Sequence, residues 1–418
     1  MEANIDQGTV STDVVIVGAG PAGLALGIVL GRAGVPFVLL DKLEQGQNTS
    51  RAAVIHAHTL DVLEELGVAA RLEALGRKLS KFCIRDRDRS LLDLHFDSLP
   101  SRHPHLLMLP QNQTEEVLNA RLLEVGGSVH RGWTVGAIAD LGDGVLVSAT
   151  SAHGEQRSFK ARYVVGADGM HSMVRKTAGI GFTGHTYEES FLLADVAMDW
   201  THGNDEVKLF FSPAGMVVVA PLPDGTFRIV STVDNAPELP TVADIQALLD
   251  ARGPRTGTTT VTKVVWGSRF RLHDRVADTY RRGRFLLVGD AAHVHSPAGG
   301  QGMNTGLVDA KVLGEMLAAV ISGRQDDAYL DGYEKVRRPA AMQVVGFAGR
   351  LTWLATMRNP AKRFVRNMVL SLVNRMPMAK RKLEMALSGL SRSAASKAPV
   401  VEPRKPGGPL AALRPTTV

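Results

Sequence analysis

The residues with the plainest chemical meaning form the run Gly18-Ala19-Gly20-Pro21-Ala22-Gly23, directly after the apolar stretch Val14-Val15-Ile16-Val17. Glycine at 18 permits a tight turn after a strand, glycine at 20 lets backbone approach a pyrophosphate, and glycine at 23 lets a helix pack closely on the sheet. The first N–H groups of such a helix lack partners within it and carry the positive end of its dipole, so they stabilise a phosphate. Asp41 stands 21 residues after Gly20, where a carboxylate reaches the hydroxyls of an adenosine ribose and repels a 2′-phosphate. The pattern reads as a dinucleotide site and does not by itself separate FAD from NAD.

Two later segments repeat the passage from buried strand to acidic loop. Tyr163-Val164-Val165 runs into Gly166-Ala167-Asp168-Gly169, and Phe285-Leu286-Leu287-Val288 runs into Gly289-Asp290. Beyond the second, Pro297-Ala298-Gly299-Gly300-Gln301-Gly302-Met303-Asn304 leads into an apolar helix. A carboxylate at the end of a strand suits ribityl or ribose hydroxyls. A glycine run at a helix N-terminus offers backbone N–H groups to the edge of a flavin ring, where they stabilise the anion formed on reduction. His56, His58, His105, His293 and His295 are candidates for a general base by residue type only.

These residues need elements to hold them. Residues 21 to 33 carry apolar side chains at helical spacing until Gly34, and Val35 to Leu40 resumes as a buried strand, which completes one βαβ unit. Lys208 to Phe211, Met216 to Ala220 and Phe227 to Val233 read as strands of an antiparallel sheet, with Pro223-Asp224-Gly225 as a turn. Segments 82–96 and 105–109 are expected to join that sheet. Phe210, Phe211, Met216 and Trp266 are read as its core. Gly302 to Ile321 is helical, and residues 326 to 390 are helical with breaks near Pro339, Pro360 and Pro377.

Of the 418 residues, 44% are apolar and 22% charged, as in an ordinary globular protein. Cys83 is the sole cysteine, so intramolecular disulfides and cysteine-bound metals are excluded, no metal site is expected, and redox chemistry must come from a cofactor. The net charge of +6 comes from scattered basic residues with no nucleic-acid motif, so nucleic acid is not an expected partner. No apolar run is long enough to span a membrane and the N-terminus has no secretion signal, which makes the cytoplasm the expected location. Phe364, Val365, Met368, Val369, Leu372, Val373 and Met376 form one helical stripe among Arg358, Lys362, Arg363, Arg366, Arg375, Lys380, Arg381 and Lys382. The stripe is expected to pack across two domains, with its basic face in solvent; peripheral attachment to a membrane through 361–382 is the alternative.

The three ordered motifs, at Gly18, at Gly166 to Gly169 followed by His171-Ser172 and Arg175, and at Gly289-Asp290, give the chain its resemblance to the class A FAD-dependent aromatic hydroxylases of the para-hydroxybenzoate and phenol hydroxylase type. The resemblance covers residues 12 to about 340 and implies an aromatic or polyketide-like substrate. It further implies FAD reduced by NADPH or NADH, and oxygen transfer from O2 through a flavin C4a-hydroperoxide. By the same resemblance, Asp290 lies by the ribityl and pyrophosphate region, and Pro297, Gly300, Gly302, Met303 and Asn304 border the flavin ring. Arg51 lies near flavin and pyrophosphate, Gln111 lies beside the ribityl chain, and Asp168 serves FAD and nicotinamide. With Gly18, Gly20, Pro21, Ala22, Gly23, Asp41, Lys42 and Gly289 these complete the expected cofactor-binding set.

His58 replaces a common arginine and Lys311 a usual asparagine, the first altering substrate or cofactor contacts and the second only a helix surface. The implied fold is α/β. FAD-binding parts at 12–80, 111–185 and 276–340 form a Rossmann-like domain of the glutathione-reductase type. An inserted antiparallel-sheet substrate domain takes 81–110 and 186–275, C-terminal helices take 341–390, and residues 391–418 form a disordered tail. The chain reads as a short member, without an added thioredoxin-like domain. A halogenase or reductase on the same scaffold and a noncatalytic escort protein are the alternatives; the W-x-W-x-I-P motif of the halogenases is missing, and the flavin-loop glycines argue against the escort.

Overall fold

The computed structural model describes residues 9–46, 52–233, 237–357 and 359–399, with only the backbone of 187–189, 270 and 271. Three stretches far apart in sequence supply one parallel sheet, ordered Arg281–Arg282, Phe285–Leu287, Tyr163–Gly166, Val14–Val17, Phe37–Asp41, Val129–Arg131; only its first strand runs antiparallel. Val14 to Val17 and Tyr163 to Gly166 are buried along their whole length, as strands covered on both faces must be. Helix Pro21–Arg32 packs against helix Gly302–Ile321 so closely that a Cβ on Gly314 would stand 2.6 Å from Val29. A four-stranded sheet, Thr9–Ser11, Gln156–Ala161, Val145–Ser151 and Trp133–Asp140, adds Val145, Val147 and Phe159 to the same core.

The second large sheet has eight strands, ordered His293–Val294, Thr259–Ala277, Phe182–Trp200, Phe227–Val233, Gly215–Pro221, Glu206–Ser212, Lys81–Asp86, Arg89–His95. The strands read at 208–211, 216–220 and 227–233 lie within it. Two strands of 19 residues, Phe182–Trp200 and Thr259–Ala277, pair with register shifts at Thr186/Ser190, Asp195/Val196 and Ala197/Met198. Such bulges reset which side chains face in, so no long alternation marks these strands in the sequence. The insert begins and ends at neighbouring points, where Asp278 N donates to Gly181 O at 3.0 Å.

Several expectations are corrected. Of the segments expected to join the large sheet, Lys81–Asp86 and Arg89–His95 do, whereas Leu106–Met108 pairs with Val54–Ile55 and Arg77–Leu79 in a separate three-stranded sheet. All three of its residues are buried, which leaves no alternation to tell one partner sheet from another. Pro339 does not break its helix, which runs from Asp331 to Ala355. The neighbouring Arg337 and Arg338 anchor that turn to Asp309 and to Ala277 O, and those tertiary bonds compensate for the missing N–H. Pro360 and Pro377 open new helices, Pro360–Val373 and Pro377–Leu387. The expected tail is ordered over Leu390–Ser396, and residues 400–418 lie outside the described ones. Helix Val242–Arg252, inside the segment read as sheet, carries a capping box between Thr241 and Asp244 that was legible in the sequence. Phe210, Phe211 and Met216 are buried as expected, but Trp266 is only half-buried.

The amphipathic helix is turned the opposite way from the expected one. Arg366 and Leu370 are its buried residues, and Phe364, Val365, Met368, Val369, Leu372 and Met376 are exposed. The reason lies in what it covers. Arg89–His95 is the edge of the large sheet, and Asn374 Oδ1 accepts from Asp93 N at 3.0 Å while Glu384 Oε1 accepts from His95 N at 3.1 Å. An edge strand presents unpaired N–H groups, so the face that covers it is polar. Arg366 completes that face, donating to Leu354 O at 2.8 Å and lying 4.1 Å from the ring centre of Phe211. Arg358 lies outside the described residues.

Candidate functional site

The sequence-predicted loops meet at the C-terminal edge of the parallel sheet, the edge at which open α/β sheets hold ligands. Gly18 has φ +102°, and a Cβ there would lie 2.3 Å from Ala167 O, so the first glycine loop rests on the loop carrying Asp168. Gly289 adopts φ +61° with its Cβ position 3.0 Å from Ala22 Cβ, and a Cβ on Gly306 would stand 3.1 Å from Gly289 Cα. These near-contacts seat the 289–291 turn, which presents Asp290 at the surface, between helix Pro21–Arg32 and helix Gly302–Ile321. Asp41 reaches the same edge: its Oδ2 accepts from Ala19 N at 2.6 Å and its Oδ1 from Leu43 N at 2.8 Å. Part of its hydrogen-bonding capacity thus holds the glycine loop itself. Lys42 follows, exposed.

The arrangement fits FAD on three observations. A Cβ on Gly20 would meet nothing within 4 Å, which leaves backbone open to a phosphate where the first helix begins. That helix and helix Gly302–Ile321 both start without a side-chain cap and without an acidic residue in the first turn. Asp168 Oδ2 accepts from Met173 N at 2.6 Å, but Oδ1 is buried with no hydrogen-bond partner, and burial raises the carboxyl pKa. The short helix beside it, Met173–Thr177, is capped by Ser172, so Asp168 supports the helix start without being its cap residue.

The loop 297–304 is braced from behind. Asn304 Oδ1 accepts from His56 N at 2.8 Å, and its Nδ2 donates to Val54 O at 2.9 Å and Gly300 O at 2.8 Å. Its side chain is therefore committed to the protein and shapes the loop. His56 Nε2 lies 2.8 Å from Gly299 O, and Gln301 Nε2 donates to Leu387 O at 2.8 Å. Arg392 Nη2 donates to Gln301 Oε1 at 2.9 Å. Gln301 and Arg392 escape sequence reasoning, because nothing local ties residue 392 to a loop some ninety residues earlier. Pro297 and Met303 are half-buried beside this loop.

The five histidines separate. His105 belongs to a cluster with Glu73 and His103, whose possible ligand atoms lie within 4.8 Å of one another; Lys78 Nζ sits 2.8 Å from Glu73 Oε2 and already balances its charge. His293 Nε2 lies 2.6 Å from Asp309 Oδ2, in a buried row completed by Arg337. Burial works against the charge of Asp309, but Arg337 and His293 hold its carboxyl below the usual range. His56 and His58 are both buried, which pushes each imidazole down to about 4. His295, also pushed down to about 4 by burial, keeps Nε2 without a hydrogen-bond partner, 3.8 Å from the Cβ position that Gly302 lacks. His56 also meets this loop, but its Nε2 is engaged by Gly299 O, whereas His295 Nε2 is unpartnered.

Gln111 opens helix Gln111–Glu124, accepts from Ala52 N at 3.3 Å and donates to Glu115 at 2.9 Å; Arg51, adjacent to Ala52, lies outside the described residues. His58, in place of the common arginine, is buried and lines a small cavity with Gln301, Arg337 and Arg392. Lys311 is buried, not on a helix surface as expected. Its Nζ pairs with Glu65 at 3.0 Å and Glu315 at 3.1 Å and donates to Ser396 O at 3.4 Å.

A parallel sheet with glycine loops, a strand-end acid and uncapped helices at one edge defines a dinucleotide-binding protein. A family model described as FAD binding domain matches residues 11–348. The chain is 34% identical to a 6-methylpretetramide 4-monooxygenase of Streptomyces rimosus over 384 residues, 90% of this chain and 68% of that protein. It is also 34% identical to a pentachlorophenol 4-monooxygenase of Sphingobium chlorophenolicum, over 79% of this chain and 63% of that one. The solved p-nitrophenol 4-monooxygenase PnpA of Pseudomonas putida DLL-E4 superposes with a TM-score of 0.84 at 25% identity, over 94% of this chain and 100% of that chain. The anhydrotetracycline hydroxylase OxyS of Streptomyces rimosus gives 0.76 at 34% identity, over 91% and 76%. The chain belongs to the FAD-binding family of class A flavin-dependent monooxygenases.

Proposed function

We propose that this chain is an NAD(P)H-consuming monooxygenase that places one atom of O2 into an aromatic or polyketide-like substrate. The observation that carries the reading is the convergence of the Gly18, Asp168, Asp290 and Gly302 loops on one edge of the parallel sheet, with the last two loops joined through His293–Val294 to the large sheet. The names of the relatives, a 6-methylpretetramide 4-monooxygenase and a pentachlorophenol 4-monooxygenase, support the substrate class. Bound FAD supplies the electron transfer and oxygen activation. The chain supplies position and electrostatics: Gly20 and the first helix take the pyrophosphate, Asp290 takes a ribityl or phosphate-side hydroxyl, and the N-terminus of helix Gly302–Ile321 faces charge that develops at the flavin edge. In the same reading, Asp41, Lys42, Arg51, Gln111 and Asp168 complete the cofactor contacts. The large sheet, whose Glu206–Ser212 and Lys81–Asp86 strands pair in parallel, takes the substrate, and His295 Nε2 offers a hydrogen-bond acceptor beside the loop, since burial pushes the imidazole down to about 4 and keeps it neutral.

Incubation of the FAD-loaded protein with a phenol and polyketide panel, O2 and either NADPH or NADH, read by mass spectrometry, tests this. A product heavier by one oxygen atom is expected, with cofactor oxidation stimulated by substrate. Cofactor oxidation whose product is the substrate gaining two hydrogens, with no oxygen atom incorporated, assigns a reductase instead.

A further inference from the structure

We propose that the C-terminal helix pair, Pro360–Val373 and Pro377–Leu387, docks the protein on an anionic lipid surface. The first observation is exposure. Phe364 is 72% exposed, Leu372 58%, Met368 54% and Met378 79%, and Trp353 on the adjoining helix is 62% exposed. Scattered single apolar residues are normal on a protein surface, but a stripe at helical spacing along one face is not. The second is that the opposite face is already spent. Arg366, Asn374 and Glu384 bind the backbone and side chains of neighbouring elements, so the helix cannot rotate to bury its stripe without uncapping the edge strand Arg89–His95.

The third observation selects the occupant. Between residues 360 and 387, apart from Arg366 and Glu384, which are both buried, the sequence has six basic residues, Lys362, Arg363, Arg375, Lys380, Arg381 and Lys382, and no acidic one. An apolar stripe flanked by cations on a helix lying flat against the body of the protein has the chemistry of an interfacial anchor. The apolar side chains enter the acyl boundary and the cations meet anionic headgroups. A second copy of the chain would oppose the same cations to one another, which disfavours a symmetric pairing through this face. No helix among the described residues is long and apolar enough to cross a membrane, so the contact is peripheral.

Flotation of the FAD-loaded protein with vesicles tests this. Vesicles of phosphatidylcholine with phosphatidylglycerol are expected to carry the protein at low salt; pure phosphatidylcholine and high salt are expected to release it. The double variant Phe364→Ser, Leu372→Ser should lower the bound fraction about tenfold or more, and Lys380→Glu with Lys382→Glu should do the same. Both variants should keep the flavin content and melting temperature of the parent, because these side chains contact neither the cofactor loops nor the core. Absence of flotation with the anionic vesicles overturns the proposal. So does a lipid-free dimer that dissociates in the Phe364→Ser, Leu372→Ser variant, which assigns the face to a second copy.

Discussion

Gly20 and Gly23 sit three positions apart in one loop and serve different ends, and the structure separates them. A Cβ at 20 meets open space, whereas a Cβ at 23 would stand 1.9 Å from Gly18 O. Gly20→Ala should therefore leave thermal stability close to that of the parent and weaken FAD binding. Gly23→Ala should itself destabilise the fold by about 1 to 3 kcal/mol through overpacking; melting curves with and without added FAD distinguish the two. Asp290→Ala removes a carboxylate from the turn between the two helices, and a cost of about 1.5 to 3 kcal/mol in FAD binding is expected if it holds a hydroxyl; a fluorescence titration measures it. The buried histidines give a pH dependence with a definite sign. In the folded protein burial pushes the His56, His58 and His295 imidazoles down to about 4, below the ordinary histidine value of about 6.5, so the unfolded chain binds more protons between those values. Stability should be fully present above about 6.5 and fall as pH drops toward 4, and His58→Gln should flatten that fall in a pH series of melting temperatures.

At the scale of elements, the contribution of the C-terminal turn Leu390–Ser396 is to hold the glycine loop still. Arg392 bonds Gln301 Oε1 and Ala386 O, and Arg392→Met leaves Gln301 Oε1 buried without that donor, a cost of about 1 to 3 kcal/mol. Weaker retention of FAD and a more solvent-exposed flavin spectrum are the expected results. The glycine loops were legible in the sequence because each is local: turn, strand and helix stand side by side along the chain. Their bracing was not, since Asn304 meets His56 across 248 residues. The helix at 360 shows a second limit. Its apolar stripe was plain in the sequence, but which side faces inward depended on the edge strand it had to cap, and that need arises only when residues 89–95 and 374–384 are brought together. The long strands were hidden by their own bulges.

On the scale of the whole molecule, the parallel sheet draws neighbouring strands from residues 14–17, 163–166 and 285–287, so its closure waits for the last of them. Loop-closure entropy falls mainly on such distant pairings. A chain ending at residue 280 should lack both the 289 turn and the last parallel strand, and neither a cooperative melting transition nor FAD uptake is expected from it, as calorimetry and absorbance would show. The inserted segment behaves differently. It leaves the cofactor domain at Gly181 and returns at Asp278 with one 3.0 Å hydrogen bond between them, so its ends are already as close as a tight connection requires. Segments with joined ends can be exchanged at little cost to the host. In terms of descent, residues 182–277 form a cassette: recombination at two codons can replace much of the sheet proposed to meet the substrate and keep the cofactor loops, provided the new segment restores the pairing of Arg275 and Val276 with Val294 and His293. A lineage can thus vary the sheet of one segment while the glycine loops that hold the cofactor stay as they are.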